Sequence, residues 1–310
     1  MNVTVLAGGP DSERDVSLMS GRAVAAALKE AGHAVHLADV MPDDLSALET
    51  PCDVIFPALH GAWGEGGDLQ AELERRGLPF VGSGSAASRL GMDKAETKRA
   101  WQAANLPTPA FRVVDRPGLQ RVSGSCVVKA VSGGSSIDCF PRKATAEGEA
   151  NIGEPVSYLV AKYGRCMVEQ MVVGHEVTVG ILFDQPLPLI WVDSAGTDAG
   201  WFDYKAKYSS DKSAAAHRFD LPPVLDERAA SEIQELCLLA HHAVGCRDLS
   251  RIDVMIDTAG NPYLLEINTM PGFTGRSLLP DAARQSGLHF NELCDRLVRA
   301  AASRSAARAA

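Results

Sequence analysis

The chain has 310 residues, and its 30 Lys and Arg against 39 Asp and Glu give a formal net charge of -9. This length fits about two domains or three small ones, and a composition near the globular average excludes a disordered or collagen-like chain. The acidic balance disfavours general binding to nucleic acid or to an anionic membrane surface, because both would repel the chain.

The first 84 residues have the pattern of a parallel sheet covered by helices. Strands are predicted at residues 3–6, 35–40 and 53–59, with a helix at 68–76. Another helix follows the first strand, ends at Gly32, and is predicted to bury one face consisting of Val16, Met19, Ala23, Ala27 and Leu28. Ligands of such sheets bind beyond the carboxyl ends of the strands, where three polar or glycine-rich stretches fall, at residues 8–13, 60–67 and 82–85.

The pattern changes after Gly84. A helix at 94–105 and short strands at 111–114, 126–131 and 137–140 predict a small α+β domain that ends near Val168. More strands follow at 167–173, 177–183 and 187–192, and then a helix at 225–244, a hairpin at 250–268 and two helices. We expect the Ala- and Arg-rich tail after Val298 to be a fraying helix end without function. The predicted fold class is α/β and α+β, with domains at residues 1–84, 85–168 and 169–310.

The chain carries no sign of a targeting or membrane-spanning segment. Its amino terminus lacks a basic leader, and no stretch approaches the ~18 apolar residues of a membrane span. Its seven cysteines are scattered and never form a CxxC pair. This pattern is typical of buried, reduced thiols, so we expect a cytoplasmic protein.

The predicted hairpin places charged residues opposite each other. An antiparallel register about its glycine turn sets Asp253 opposite Glu266 and Arg251 opposite Asn268, with Leu264 on the same face as Glu266. Two facing carboxylates destabilise a sheet unless something compensates their charge. Mg²⁺ would do so, because it binds one or two carboxylates together with water and phosphate oxygens, and Asn268 could add an amide oxygen. A structural ion-pair cluster with Arg251 is the alternative.

Two loops could receive anions. Residues 269–274 lead into a helix start at Ser277, where backbone N–H groups would bind a carboxylate or an oxyanion, alongside ordinary capping by Thr274 or Ser277. Residues 132–136 form a glycine- and serine-rich loop that could fold over phosphates, although it is not a Walker loop and could equally be a linker or surface turn. Just before this loop, Lys129 interrupts a buried strand and must reach either water or an anion.

Taken together, these segments resemble the D-alanine:D-alanine ligases of the ATP-grasp superfamily, nearly from end to end. The motifs that carry the resemblance are LAGG (6–9), SERDVSL (12–18), LHG (59–61), GEGGDLQ (64–70), GSG (82–84), MDK (92–94), Lys129 with GSS (134–136), VE (168–169), GHEVTV (174–179), YKAKY (204–208), RID (251–253) and EINTMPG (266–272). The resemblance implies a three-domain ATP-grasp fold with an N-terminal parallel-sheet domain, ATP between the central and C-terminal domains, and a homodimer.

The resemblance also implies roles for individual residues. The phosphates of ATP would meet Lys94, Lys129 and Lys207; the adenine would meet Glu169 and the backbone near Val172; and the ribose would meet Glu176. Two Mg²⁺ ions, for which Mn²⁺ could substitute, would be held by Asp253, Glu266 and Asn268. Glu13 would hold the first substrate's ammonium with Ser135 and Tyr208 beside it, Arg251 and the Gly272 N–H would stabilise an oxyanion, and Ser277 and the Leu278 N–H would take the second substrate's carboxylate. His60 would either contact substrate or order its loop.

The implied reaction joins two D-alanines through an acylphosphate, for peptidoglycan precursor synthesis. Ala130, Gly133, Asp138 and Gln170 depart from the commonest family pattern, which puts the dynamics of the phosphate loop and the nucleotide affinity in question. D-lactate, D-serine or another amino acid as second substrate is the nearest alternative. A non-catalytic nucleotide-binding homologue is disfavoured, because every apparent metal ligand and Arg251 are retained.

Overall fold

The computed structural model of the chain describes residues 1–134, 138–193, 216–274 and 277–309. Its helices are α1 (Arg14–Glu30), α2 (Ala62–Glu65), α3 (Asp68–Arg75), α4 (Ser85–Met92), α5 (Lys94–Ala103), α6 (Gly153–Tyr163), α7 (Glu227–Val244), α8 (Leu278–Gln285) and α9 (Phe290–Ala309). A short 3₁₀ helix covers Ser46–Glu49. None of these helices combines the length and apolarity needed to cross a membrane.

Fifteen strands form the sheets of this described part. They are β1 (Asn2–Gly8), β2 (Ala34–Val40), β3 (Val54–Pro57), β4 (Phe111–Val114), β5 (Arg121–Ser123), β6 (Cys126–Ala130), β7 (Cys139–Arg142), β8 (Glu149–Asn151), β9 (Cys166–Gln170), β10 (Gly174–Leu182), β11 (Gln185–Pro186), β12 (Ile190–Asp193), β13 (Ala216–Arg218), β14 (Leu249–Asp257) and β15 (Pro262–Asn268).

The N-terminal sheet is parallel, in the order β2-β1-β3, as the alternation of strands and helices predicted. The predicted buried face of α1 was wrong in part: Ala27 and Leu28 are buried, but Met19 is 54% exposed. Small residues lie against β1 instead, because a Cβ added at Gly21 would come within 2.5 Å of the Ala7 Cβ. The Ser17 hydroxyl, also on this face, accepts from the Gly8 N–H and donates to the Ala58 carbonyl. Apolar periodicity therefore missed a face made of serine and glycine.

The central region contains an antiparallel sheet in the order β4-β9-β6-β7, with the pair β5-β8 beside it. Helix α6 packs on this sheet through Val156 and Leu159, which are fully buried with Val128 of β6. The predicted domain limits remain a prediction, and the limit after Val168 falls inside β9.

The C-terminal sheet runs in the order β13-β12-β10-β14-β15, with β11 paired to β10. Two pairs of the predicted hairpin register are confirmed: Asp253 pairs with Glu266, and Arg251 pairs with Asn268. The predicted face of Leu264 was wrong: it pairs with Val254 in the core, because the register shifts between Asp253 and Val254. This shift is a β-bulge, which adds one residue to β15 and lets Leu264 and Glu266 point to opposite faces.

The last two helices return to the N-terminal sheet. Leu279 of α8 and Leu293 and Leu297 of α9 are buried in one cluster with Val5 and Phe56 of the parallel sheet. The tail after Val298 is helical, as predicted, and belongs to α9, which continues to Ala309.

Arg304 is the residue that docks the end of this helix. Its guanidinium pairs with both carboxylate oxygens of Asp248 and also donates to the Phe80 carbonyl. The carboxyl end of the chain thereby contacts both the N-terminal and the C-terminal sheet regions.

Candidate active site

One face of the C-terminal sheet carries the charged residues of the predicted hairpin. The alternation of β14 and β15 places four side chains on this face, those of Arg251, Asp253, Glu266 and Asn268, while Ile252, Val254 and Ile256 enter the core. Both nitrogens Nε and Nη2 of Arg251 lie 3.0 Å from the Asp253 carboxylate. The Thr178 hydroxyl of β10 donates to the same carboxylate over 2.6 Å. The ion pair considered as an alternative to a metal is therefore present on Asp253.

Glu266 and Asn268 add a carboxylate and an amide group to this face. The Lys94 Nζ lies 3.4 Å from Glu266 Oε2, and the buried Asn268 side-chain nitrogen has no hydrogen-bond partner. Among the described residues, no group of three His, Cys, Asp or Glu side chains could hold a metal ion. Two carboxylates and an amide fit Mg²⁺, which completes its octahedral shell with water and substrate phosphates rather than with protein ligands alone.

A buried carboxylate lies between two lysines in the central region. The Lys129 Nζ of β6 is 2.7 Å from Glu169 Oε1, and the Lys98 Nζ of α5 is 2.6 Å from Glu169 Oε2. Burial alone would raise the pKa of Glu169, but the two ammonium groups outweigh it and lower the pKa. Burial lowers the pKa of Lys98 to about 8. Burial also opposes the charge of Lys129, but Glu169, Cys139 and Glu266 together outweigh it and raise the pKa of that ammonium. The sequence predicted that Lys129 reaches water or an anion, and its anionic partner is Glu169.

Lys94 connects the glycine-containing loop at Gly133 to the sheet face that carries Glu266. It begins α5, where the Asp93 side chain caps the first turn by accepting from the backbone N–H groups of Ala95 and Glu96. The Lys94 ammonium donates to the Gly133 carbonyl and faces Glu266. A cavity between these elements is lined by Glu65, Lys94, Gly133, Gly134, Glu266 and Asn268.

Three titratable groups, Glu13, His60 and Glu65, lie near the start of α1 and the loop around α2, and Glu65 also lines the cavity. A Cβ added at Gly134 would lie 3.5 Å from Glu13 Oε2, so the phosphate loop approaches the start of α1. Burial raises the pKa of Glu65 to about 8, and nearby Glu13 adds to the increase. Burial lowers the pKa of His60 to about 4, with Arg251 acting in the same direction. His60 is therefore neutral near pH 7, and its Nε2 lies 3.2 Å from the Ser20 hydroxyl.

The loop before α8 folds tightly against its own helix start. A Cβ added at Gly272 would come within 2.9 Å of Ser277 Oγ, so a larger residue would disturb the loop. The Ser277 hydroxyl contacts the backbone N–H and the hydroxyl of Thr274, and it makes no capping bond to α8. The Phe273 N–H, next to Gly272, points to the same Ser20 hydroxyl that contacts His60. This shared hydroxyl brings the loop close to His60.

Glu176 lies on the same sheet face as the metal-site candidates. It precedes Thr178 by two residues on β10, and the two pair with Met255 and Asp253 of β14. Val172 lies between β9 and β10 and is half-buried. The strand order thus aligns the predicted ribose residue with the predicted metal ligands along one surface.

The structure brings most of the predicted site residues together around this cavity and sheet face. Ser135, Lys207 and Tyr208 lie outside the described residues. Sequence reasoning missed Lys98, Glu65 and Thr178. Lys98 had a usable signal, since it lies three residues from both Ala95 and Trp101, on what is the buried face of α5.

Comparisons with known proteins agree with this geometry. A family model described as the C-terminus of D-Ala-D-Ala ligase matches residues 100–299, more than half of the chain. A D-alanine–D-alanine ligase of Gloeobacter violaceus is 38% identical over 307 residues, with 96% of this chain and 98% of that protein covered. The ligase of that name from an Azoarcus species is 40% identical over 299 residues and covers 94% of each chain.

Two solved structures are similar in fold. The D-alanine–D-alanine ligase of Coxiella burnetii has a TM-score of 0.80 at 22% identity, covering 99% of this chain and 97% of that one. A Bacillus anthracis ligase of that name has a TM-score of 0.78 at 26% identity and covers 100% of both chains.

Proposed function

This chain belongs to the D-alanine–D-alanine ligase family, and on that basis we propose that it joins two molecules of D-alanine to D-alanyl-D-alanine at the expense of ATP. The enzyme is an ADP-forming carboxylate–amine ligase of the ATP-grasp fold, with a product that serves peptidoglycan precursor synthesis. The single observation that carries the proposal is the convergence of Lys94, Glu266 and Asn268 with the glycine loop around one cavity.

In the first half-reaction, the carboxylate of one D-alanine attacks the γ-phosphorus of ATP, and an acylphosphate and ADP form. The protein's part is positioning and charge neutralisation, because phosphoryl transfer needs little covalent help. Lys94, Lys129 and Lys207 hold the phosphates, while Glu169, the Val172 backbone and Glu176 hold the nucleoside. Glu13, supported by Ser135 and Tyr208, holds the substrate's ammonium group.

Asp253, Glu266 and Asn268 would hold two Mg²⁺ ions, which neutralise charge on the transferred phosphoryl group when bound. The support for this assignment is the facing carboxylate pair, with the Asn268 side chain on the same sheet face to offer its amide oxygen. To share Asp253 with a cation, Arg251 must keep only part of its present contact with that carboxylate.

In the second half-reaction, the amine of another D-alanine attacks the acyl carbon, and inorganic phosphate leaves. Arg251 and the Gly272 N–H stabilise the tetrahedral oxyanion. Ser277 and the Leu278 N–H receive the second substrate's carboxylate at the start of α8, where the helix dipole favours an anion. His60, held neutral by burial, orders this end of the cavity through Ser20.

Phosphate release from ATP, measured over a panel of second substrates, tests the proposal. We expect release with D-alanine alone, and little gain from adding D-lactate or D-serine, since the Lys207-Tyr208 pair resembles the dipeptide-forming type. Release only with D-lactate or D-serine present would replace the substrate but keep the enzyme class. A chain that binds ATP and releases no phosphate with any D-amino acid would be a nucleotide-binding homologue instead.

We also propose a cytoplasmic homodimer. The cytoplasm supplies ATP, and all seven cysteines are free thiols. Met19 of α1 and Leu37 of β2 are both large apolar side chains exposed on the N-terminal region, which suits an interface. Analytical ultracentrifugation tests the dimer: Met19→Glu should shift the sedimentation coefficient towards that of a monomer, and a monomeric parent chain would refute it.

A further inference from the structure

Lys98 is a fully buried lysine of α5 whose ammonium contacts two other elements of the fold, β9 and β15. Its side chain is 0% exposed, and few proteins bury an ammonium group so completely without a functional or structural demand. Replacing a buried ion pair by apolar residues is often neutral or stabilising, so the fold alone does not require a charge here. The contacts that the ammonium makes therefore need an explanation of their own.

The first contact leads towards the nucleotide. Lys98 holds one carboxylate oxygen of Glu169 at 2.6 Å, and Lys129 is 2.7 Å from the other. With Lys98 in place, two ammonium groups share the negative charge of Glu169, so Lys129 compensates only part of it. If Lys98 were neutral, Glu169 would attract Lys129 alone, and the Lys129 ammonium would be held more firmly away from phosphate.

The second contact leads towards the proposed metal ligands. The Lys98 ammonium donates to the Leu264 carbonyl over 3.2 Å, and the Thr108 hydroxyl donates to the same oxygen over 2.7 Å. Leu264 directly precedes Leu265, the extra residue of the β-bulge. Because the bulge turns Glu266 to the site face while Leu264 enters the core, groups that fix the Leu264 carbonyl also fix the direction of Glu266.

We propose that Lys98 is a positioning residue that couples the Lys129–Glu169 pair to the bulge that orients Glu266. It touches neither ATP nor D-alanine. It sets the place of a phosphate-binding lysine through Glu169 and the place of a metal ligand through the Leu264 carbonyl. The inference rests on the proposed function, because it assigns the two ends of the coupling to the phosphates and the metal of one nucleotide.

The test measures binding of a non-hydrolysable ATP analogue by calorimetry over a series of Mg²⁺ concentrations, without D-alanine. Lys98→Met should raise the Kd of the analogue about tenfold or more and raise the Mg²⁺ concentration at half-maximal binding about threefold. Thr108→Val removes the other donor to Leu264 and a hydroxyl that accepts from Lys98 over 2.6 Å, but it leaves the Lys98–Glu169 ion pair. It should therefore raise the Mg²⁺ midpoint, with a smaller rise in Kd at saturating Mg²⁺ than Lys98→Met causes.

Trp101→Phe provides the matched control for a purely structural effect. Trp101 is fully buried on the same helix and donates to the Ala240 carbonyl, away from both contacts of Lys98. This variant should lower Tm without moving the Kd or the Mg²⁺ midpoint. A Lys98→Met variant that loses Tm as Trp101→Phe does, with unchanged binding, would overturn the proposal.

A charge-balanced pair keeps the test decisive if Lys98→Met does not fold. Glu169→Gln and the double variant Lys98→Met/Glu169→Gln should have the same Kd within about twofold at saturating Mg²⁺, because Lys98 acts on the nucleotide through Glu169. Independent, multiplying effects would contradict the coupling. Failure of the ligase function would show separately, as an absence of phosphate release from the parent chain that still binds the analogue.

Discussion

Each carboxylate of the candidate site lies next to at least one positively charged side chain. Asp253 faces Glu266 across the hairpin, and each carboxylate has its own cation, Arg251 for the first and Lys94 for the second. Glu169 has two lysines of its own. Removing one partner of such a buried pair costs more than the pair contributes, because the other charge is left without compensation. Single neutral substitutions are therefore sharp probes of this site.

Glu266→Gln keeps the size of the side chain and removes one of the two facing charges. We expect ATP turnover in the presence of D-alanine to fall about 10²- to 10³-fold, comparable with the loss of one electrostatic stabiliser in other enzymes. The required Mg²⁺ concentration should rise as well. Glu235→Gln, which changes an exposed glutamate on α7, is the matched control and should leave both values unaltered. Near-normal turnover of Glu266→Gln would reject the metal assignment.

Glu65 predicts a pH dependence of stability. Its pKa is about 8 in the folded chain against an ordinary value of 4.5, chiefly because of burial. Between these pH values the folded chain keeps a proton that the unfolded chain has lost, so this carboxyl lowers the free energy of unfolding as pH rises. The slope is at most about 1.4 kcal/mol per pH unit for one proton.

Glu65→Gln mimics the protonated carboxyl and should remove this contribution. Chemical denaturation of both chains from pH 5 to pH 8 measures it: the variant should gain stability relative to the parent as pH rises. Parallel stability curves would mean that Glu65 is ionised in the folded chain.

At the scale of elements, alternation on a period of two and the position of the turn were enough to predict that Asp253 faces Glu266 and Arg251 faces Asn268. They could not reveal the bulge, because the skipped Leu265 is as apolar as its neighbour Leu264. Helical periodicity likewise located α1, but weighted Met19 over the smaller Ser17 and Gly21 that the close approach to β1 requires. Sequence patterns of this kind cannot predict features, such as the bulge or the close approach of α1 to β1, that depend on contacts with distant parts of the backbone.

The end of α9 gives a test at this scale. Removing residues 304–310 deletes Arg304 and takes the guanidinium partner away from the nearly buried Asp248 carboxylate, to which the Gly82 N–H still donates. We expect the free energy of unfolding to fall by about 1–3 kcal/mol, the cost of an undercompensated buried group.

The matched control is a chain that ends after Arg304 and keeps this ion pair. It should unfold at the same denaturant concentration as the full chain. If both truncations are equally stable, Arg304 does not dock the helix in solution.

For the whole molecule, sequence predicted the fold class and the order of its regions, because motifs of one family recur along nearly the whole chain. It did not predict that the last helices complete the core of the first sheet. A parallel sheet is covered on both faces, and here part of that cover comes from residues more than 200 positions away: Phe273 packs edge-on against Phe56, with ring centroids 5.2 Å apart. Contacts between such distant segments have no local signature.

Because α9 and the N-terminal sheet share one core, we expect a cavity in α9 to destabilise that sheet. Leu297 is fully buried with Val5 and Phe56, whereas Leu159 is equally buried in the separate core of the central sheet. Leu297→Ala and Leu159→Ala should each cost about 2–5 kcal/mol of stability, the usual range for a leucine cavity. Native-state hydrogen exchange distinguishes them: only Leu297→Ala should accelerate exchange of the amides in β1 and β3. Equal acceleration in both variants would show that the whole chain opens as one unit, and acceleration in neither would show that the N-terminal sheet does not depend on α9.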